Sequence, residues 1–261
     1  MLISFDLDGV IMDNGAFRML RYIFGEKIQK AECISTEKAL EKTWDYLHDV
    51  SGEFLKEDLF VEGYDWHNII QLTQKKLGMT DIIDFDNLSW RCCRERKNNV
   101  FPGAQEVLKE LYASSYNLIA ITNGLSSYQY PCLVALGLKR YFEKVVTIDQ
   151  TGYAKPRKEA FSIGEIYKPP RLHIGDSLFA DVGGSNKAGW FSILYWPQMP
   201  EEIRNKPYWD RTLGEEHIQK IESIEDKELL KFYNLKKQDL YPDAIIGHLN
   251  EVLQVVSEIK S

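Results

Sequence analysis

The chain has little of what marks several large protein classes. Only four of its 261 residues are cysteines, Cys33, Cys92, Cys93 and Cys132, and no two are spaced C-x-x-C. That usage reads as a reduced, cytoplasmic protein with structural thiols. No apolar run approaches the length that spans a membrane. Asp6 interrupts any apolar signal segment at the N-terminus, so secretion is not expected. Basic residues are not in excess: 39 acidic against 32 basic residues give a net charge of -7, which argues against a general nucleic-acid binder. There is no internal repeat and no low-complexity tract. Proline is missing altogether between residues 14 and 98, which suits helices.

What is present begins at the N-terminus. Leu2-Ile3-Ser4-Phe5 is a short, largely apolar run bounded by Gly9, the pattern of a buried strand ending in a tight loop. Asp6 and Asp8 follow, and an extended chain points such an i, i+2 pair to one side. Two close carboxylates resist joint ionisation. A cation between them relieves the conflict and makes a metal site. A proton kept by one of them relieves it too, and makes an acid and a nucleophile from one residue type. Two solvated aspartates at an ordinary strand end are a third reading, and this stretch alone does not choose.

Residues 14–98 read as a helical insertion. Phe17, Leu20, Ile23 and Phe24, and later Trp66, Ile69, Ile70, Thr73 and Leu77, recur at helical spacing. Trp44, Tyr46, Trp66 and Trp90 either line a substrate cavity or pack as core, and their spacing favours core for most. Phe101-Pro102-Gly103 marks the return to the first domain, with Pro102 near a helix start and an apolar face at Val107, Leu108 and Leu111. Strands are then predicted over residues 117–121, 144–148, 171–175 and 191–195, alternating with helices over about 128–136, 156–167 and up to 188. This alternation predicts βαβ units and a parallel sheet with right-handed crossovers. Residues 196–240 are less regular, with three prolines early and a charged helical stretch later. Tyr241–Ile246 reads as one more strand, and His248–Ile259 as an amphipathic helix.

Polar residues gather where these strands end. Thr122-Asn123-Gly124 offers a hydroxyl, an amide and backbone N–H groups to an anion, although Asn-Gly is also a common turn. Lys155, just before Pro156 and a helix start, is either a solvated lysine or a phosphate-facing group. Gly175-Asp176-Ser177 ends a further strand, with Asp181 five residues after Asp176. In open α/β sheets this edge is where ligands bind. Taken in order, Asp6-x-Asp8-Gly9, Thr122-Asn123-Gly124, Lys155-Pro156 and Gly175-Asp176-Ser177 with Asp181 closely resemble the four motifs of the haloacid dehalogenase superfamily of phosphohydrolases. The resemblance covers residues 1–13, about 100–196, and 241–257. It implies a Rossmann-like parallel-sheet core, three-layer α/β/α, over residues 1–13 and 99–261, with an inserted α-helical cap of the C1 type over 14–98. The span from 124 to 155 is too short for the larger cap type.

The resemblance also implies a chemistry. Asp6 would attack phosphorus and form an aspartyl-phosphate. Asp8 would protonate the leaving oxygen and then activate water. Mg²⁺ is the implied cofactor, held by the Asp6 carboxylate, the Asp8 backbone carbonyl and Asp176, since an anionic nucleophile and a phosphate dianion repel each other. Thr122 and Asn123 would bind phosphoryl oxygens, Lys155 would neutralise developing charge, and Asp181 would hold Lys155 or a metal-bound water. The implied partner is a small phosphorylated metabolite, a sugar phosphate or a nucleotide, with no nucleic acid or membrane involved. Asp8 argues against a true haloalkanoate dehalogenase, which as the family is known has no acid there. A phosphomutase of the β-phosphoglucomutase type shares the start Asp6-Leu-Asp8-Gly-Val-Ile but usually carries serine-rich sequence where this chain has Thr122-Asn-Gly. A phosphonate hydrolase needs a particular cap lysine, which cannot be placed among several. A non-catalytic binding protein is the remaining class, yet no catalytic position is lost. Residues 196–240 depart from the family pattern. They cover the cap edge, form a homodimer contact or elaborate the surface, the last being narrowly preferred.

Overall fold

The computed structural model describes residues 1–222, 230 and 233–259. Six parallel strands form one sheet in the order β5-β4-β1-β6-β7-β8. These are β1 (Leu2–Phe5), β4 (Asn117–Ile121), β5 (Lys144–Val146), β6 (Arg171–Gly175), β7 (Phe191–Tyr195) and β8 (Ala244–Ile246). Both faces are covered, which is why the strands read as nearly unbroken apolar runs. Ile3, Phe5, Leu118, Ala120, Leu172 and Ile174 meet helix α6 (Ala104–Ala113) and the C-terminal helix Glu251–Ile259 on one face. Leu2, Ile119 and Ile121 meet Phe161 and Trp190 on the other. β1 sits at the centre, with Phe5 in register with Ala120 of β4 and Ile174 of β6. The chain builds outward through β4 and β5, then crosses over β1 to build β6, β7 and β8. The order therefore reverses at β1, and a crevice at the carboxyl ends of strands flanking such a switch point is the usual ligand site.

Between β1 and β4 the chain inserts five helices: α1 (Gly15–Glu32), α2 (Thr36–Lys56), α3 (Phe60–Gly63), α4 (Trp66–Lys76) and α5 (Phe85–Arg94). Asn14, Ser35, Asp65 and Asp84 cap four of them by accepting backbone N–H groups of the first turn. Leu20, Phe24, Leu47, Ile69, Ile70 and Phe85 bury one another in a core separate from that of the sheet, which Tyr128 of α7 (Ser126–Ala135) enters from below. The way in, β2 (Met12–Asp13), pairs antiparallel with the way out, β3 (Asn99–Val100). All five helices lie between Gly15 and Arg94.

Local structure departs from expectation at three places. The third predicted strand ends at Val146, and Ile148–Thr151 forms a helical turn instead. The segment after Pro156 is a 3₁₀ helix over Lys158–Ile166, its Gly164 lying so close to Trp190 that a Cβ there would be 2.0 Å from the indole. After Ser177 the chain makes a wide π-type turn over Leu178–Gly183 before the helical turn Gly184–Lys187. Two adjacent glycines there weaken any regular α-helix.

Residues 196–240 do more than decorate the surface. Met199, Ile203, Leu213, Tyr233, Leu235 and Leu240 bury themselves in one cluster with Phe60 of the insertion. Tyr233 lies 6.4 Å from the Phe60 ring. The preferred reading of a surface elaboration gives way, for these residues, to contact with the inserted helices, because their apolar side chains find their burial against Phe60. Part of the charged helical stretch, residues 223–229, 231 and 232, lies outside the described residues. No helix among the described residues is long and apolar enough to cross a membrane.

Candidate active site

The backbone N–H of Asp6 donates to Ile174 O at 2.8 Å, one ladder bond past the end of β1. The chain thus stays extended through Asp6 and then turns sharply, with the Leu7 carbonyl accepting from the N–H groups of Ile11 and Met12, both at 2.9 Å. Leu7 is buried, while Asp6 and Asp8 both face one cavity. Gly9 makes the turn possible. Its φ is +84°, and a Cβ there would fall 2.2 Å from Asp176 Oδ2. Only glycine lets the two strand ends come this close.

Lys155 is the hub of the site. Its ammonium, buried beneath the cavity, donates to Asp181 Oδ1 at 2.6 Å, to Asp6 Oδ1 at 2.8 Å and to Ile121 O at 3.0 Å, which uses all three of its donors. Asp181 is held in turn: Oδ1 also accepts from His173 Nε2 at 3.0 Å, and Oδ2 from the Ser177 N–H at 3.0 Å. His173 Nδ1 meets Ser4 Oγ at 2.6 Å. A neutral imidazole protonated on Nε2 satisfies both contacts, with the serine hydroxyl donating to Nδ1. Burial pushes His173 below its ordinary value, consistent with that neutral form. Asn123 grips the Lys155 backbone from both sides, accepting its N–H at 2.7 Å and donating to its carbonyl at 3.1 Å, and donates to Tyr64 Oη at 2.9 Å. Its side-chain amide is therefore committed to positioning Lys155 and the insertion. Thr122 Oγ1 accepts from the Gly124 N–H at 3.0 Å.

The carboxylates differ sharply in their surroundings. Burial raises Asp8 to about 6, against the opposing hydrogen bond from Gln129 Nε2 at 2.5 Å. Burial, then the neighbouring Asp181, likewise raises Asp176 to about 6. Asp6 is driven well above the usual carboxylate range by burial, with Lys155 opposing and Asp181 and Asp176 adding. Asp181 goes the other way: burial alone would raise it, but Lys155 and His173 outweigh that and hold it low. Four carboxylates thus face one ammonium, and oxygens of Asp6, Asp176 and Asp181 lie within 4.8 Å of one another. An all-oxygen set with excess negative charge fits a hard divalent cation. Asp181 already accepts three hydrogen bonds, so Asp6 and Asp176 are the carboxylates that fit such an ion best.

Every residue singled out from the motifs, Asp6, Asp8, Thr122, Asn123, Lys155, Asp176 and Asp181, lines the same cavity of about 480 Å³. Two of the four insertion aromatics join them. Trp44 and Trp66 face the cavity, while Tyr46 donates its hydroxyl to Glu32 and Trp90 is 54% exposed. Sequence reasoning missed His173, Ser4, Gln129 and Tyr64. For the first two a signal existed: each is the lone polar residue in the middle of an apolar strand, and they are register partners across β1 and β6. Gln129 and Tyr64 carry no such signal, since only the docking of α7 and of the insertion brings them in.

The family model for haloacid dehalogenase-like hydrolases matches residues 1–189. The chain belongs to this family. It is 26% identical over 215 residues to a glyceraldehyde 3-phosphate phosphatase of Methanothermobacter thermautotrophicus, covering 78% of this chain and 88% of that one. It is 36% identical over 107 residues to the pyrimidine 5′-nucleotidase PynA of Streptococcus pneumoniae, covering 39% and 45%. The fold is similar to that of the HAD-hydrolase YfnB of Bacillus subtilis, solved bound to magnesium, with a TM-score of 0.62 at 19% identity over 98% of both chains. This protein is thus a haloacid dehalogenase-like hydrolase with a Rossmann-like α/β core.

Proposed function

We propose that this hydrolase is a Mg²⁺-dependent phosphatase of small phosphate monoesters that works through an aspartyl-phosphate on Asp6, beneath a helical cap formed by residues 14–98. The observation that carries the reading is the unequal pair at the end of β1. Burial raises both carboxyl groups, but their partners differ. Asp6 is ion-paired to Lys155, which favours its charged, attacking form, whereas Asp8 meets only the Gln129 amide and sits near 6, where it can hold or yield a proton. The relatives named as phosphatases of a triose phosphate and of nucleotides support small phosphate esters as the substrate class.

In this mechanism an Asp6 oxygen bonds to phosphorus while the ester oxygen leaves with the proton of Asp8. Asp8 then takes a proton from water, which attacks phosphorus, frees Asp6 and releases inorganic phosphate. Lys155 offsets the charge that gathers around Asp6, and Asp181 and Asn123 keep it in place. The Thr122 hydroxyl and the Asn123 N–H would bind the phosphoryl oxygens, since the Asn123 side chain is spent elsewhere. Mg²⁺ on Asp6, Asp176 and the Asp8 carbonyl would neutralise the repulsion between nucleophile and phosphate.

Hydrolysis of p-nitrophenyl phosphate by wild type, with Mg²⁺ or with EDTA, beside Asp6→Asn tests this reading. Turnover that needs the metal and falls by about three orders of magnitude or more in the variant is expected. Turnover that survives Asp6→Asn would contradict it.

A further inference from the structure

The wall that faces the catalytic carboxylates is aromatic. Trp44 and His48 stand one turn apart on α2, with rings 5.8 Å apart and inclined by 23°. Trp66, at the start of α4, closes on Trp44 at 6.1 Å and 77° and on His48 at 6.2 Å and 54°. Phe17 of α1 meets Trp66 edge-on at 5.6 Å and 80°. Phe17, Trp44 and Trp66 are only half-buried, which leaves ring surface open to the cavity. His48 aside, the only charged or titratable side chains among the described lining residues, tyrosines excepted, are Lys155, Asp6, Asp8, Asp176 and Asp181.

This wall discriminates among leaving groups. A second phosphate or a carboxylate would find no free cation, because Lys155 is already paired with Asp6 and Asp181. The hydroxyls of a bare sugar gain no bond from the faces of Phe17, Trp44 and Trp66 and would depend on the few polar groups elsewhere in the lining. A flat heteroaromatic group stacks on such rings whatever its substitution pattern. Its polar edge can also bond the ring nitrogens of His48, which a quaternary ammonium could not use. The volume, about 480 Å³, lies in the range of drug-sized ligands and exceeds what a three-carbon ester fills.

We propose that the substrate is a nucleoside monophosphate whose base stacks on Trp44 and Trp66 while its phosphate meets Asp6. The proposal rests on the phosphatase reading above and names the leaving group that this site selects. Trp44 and Trp66 are then specificity-determining residues that act on binding of the nucleoside.

The test measures kcat/KM of the full chain with Mg²⁺ on UMP, AMP, glyceraldehyde 3-phosphate, glucose 6-phosphate and phosphocholine, with acetyl phosphate as a probe that lacks a bulky leaving group. UMP or AMP should exceed the sugar and choline esters by on the order of tenfold or more. Trp44→Ala and Trp66→Ala should each lower the ratio of nucleotide to acetyl phosphate turnover by on the order of tenfold, mainly through KM, and the Phe variants should recover part of it. If a tryptophan variant fails to fold, the exposed His48→Ala carries the same comparison. Preference for a sugar or choline ester would overturn the proposal, as would variants in which both activities fall together. Binding is read separately in Asp6→Asn, where UMP should quench tryptophan fluorescence saturably. Quenching without acetyl phosphate turnover would sink the phosphatase reading and leave the base-stacking assignment standing. Acetyl phosphate turnover without quenching and without nucleotide preference would sink the assignment alone.

Discussion

In the proposed mechanism Asp6 and Asp8 take two roles two positions apart from one residue type. Burial raises both, but Asp6 faces a lysine that opposes the rise, whereas Asp8 faces an amide and stands at about 6. A raised folded-state value has a definite consequence for stability. The native protein holds the Asp8 proton more tightly than the unfolded chain does, so this contribution is full below about pH 4 and is lost as pH rises to about 6. Above that, the buried charge is a cost that the metal-free protein carries. Asp8→Asn keeps the shape and the Gln129 contact but cannot ionise. In EDTA at pH 7.5 it should therefore be more stable than wild type by on the order of 1–3 kcal/mol by urea unfolding, with the gap closing near pH 4. An equal or less stable variant at pH 7.5 would refute the argument. At this scale the seven motif residues were legible because their order and strand-end placement are specific. The Ser4–His173 pair behind Asp181 was not, since its meaning depends on a register between residues 169 positions apart.

Elements carry these residues to one place. The strands were readable because a parallel sheet buried on both faces leaves continuous apolar runs, and β8 followed for the same reason. The 3₁₀ and π-type turns after β5 and β6 were not readable, because they answer to contacts far along the chain. Gly164 lies against Trp190, and a Cβ on Gly184 would sit 2.6 Å from Phe161. The turn after β1 gives the sharpest test at this scale. Gly9→Ala would need both a left-handed backbone and space that Asp176 occupies. The variant should lose on the order of 10²-fold or more in kcat/KM and need more Mg²⁺ for half-maximal activity, since it displaces a carboxylate proposed to hold the ion. Wild-type Mg²⁺ activation in Gly9→Ala would show that the close approach of Gly9 to Asp176 does not matter.

The whole molecule is organised so that a rigid sheet supplies the charges and an inserted layer supplies the walls. Tyr64 reaches from the insertion to Asn123, and Tyr128 reaches from α7 into the core of the insertion, so the two layers meet at the cavity that holds the strand-end carboxylates. Met199, Ile203, Leu213, Tyr233, Leu235 and Leu240 add a third support by clustering with Phe60. The sequence left that contact as one of three open readings, because it joins residues 60 and 233 with no periodicity to announce it. The account requires that this assembly place phosphorus on one carboxylate and no other. The most direct measurement is to quench the enzyme with acid during turnover of acetyl phosphate and Mg²⁺, reduce any acyl-phosphate with borohydride, and locate the modified residue by mass spectrometry. The account predicts homoserine at position 6 in wild type and none in Asp6→Asn. Turnover that leaves position 6 unmodified, or that marks Asp8 instead, would contradict it.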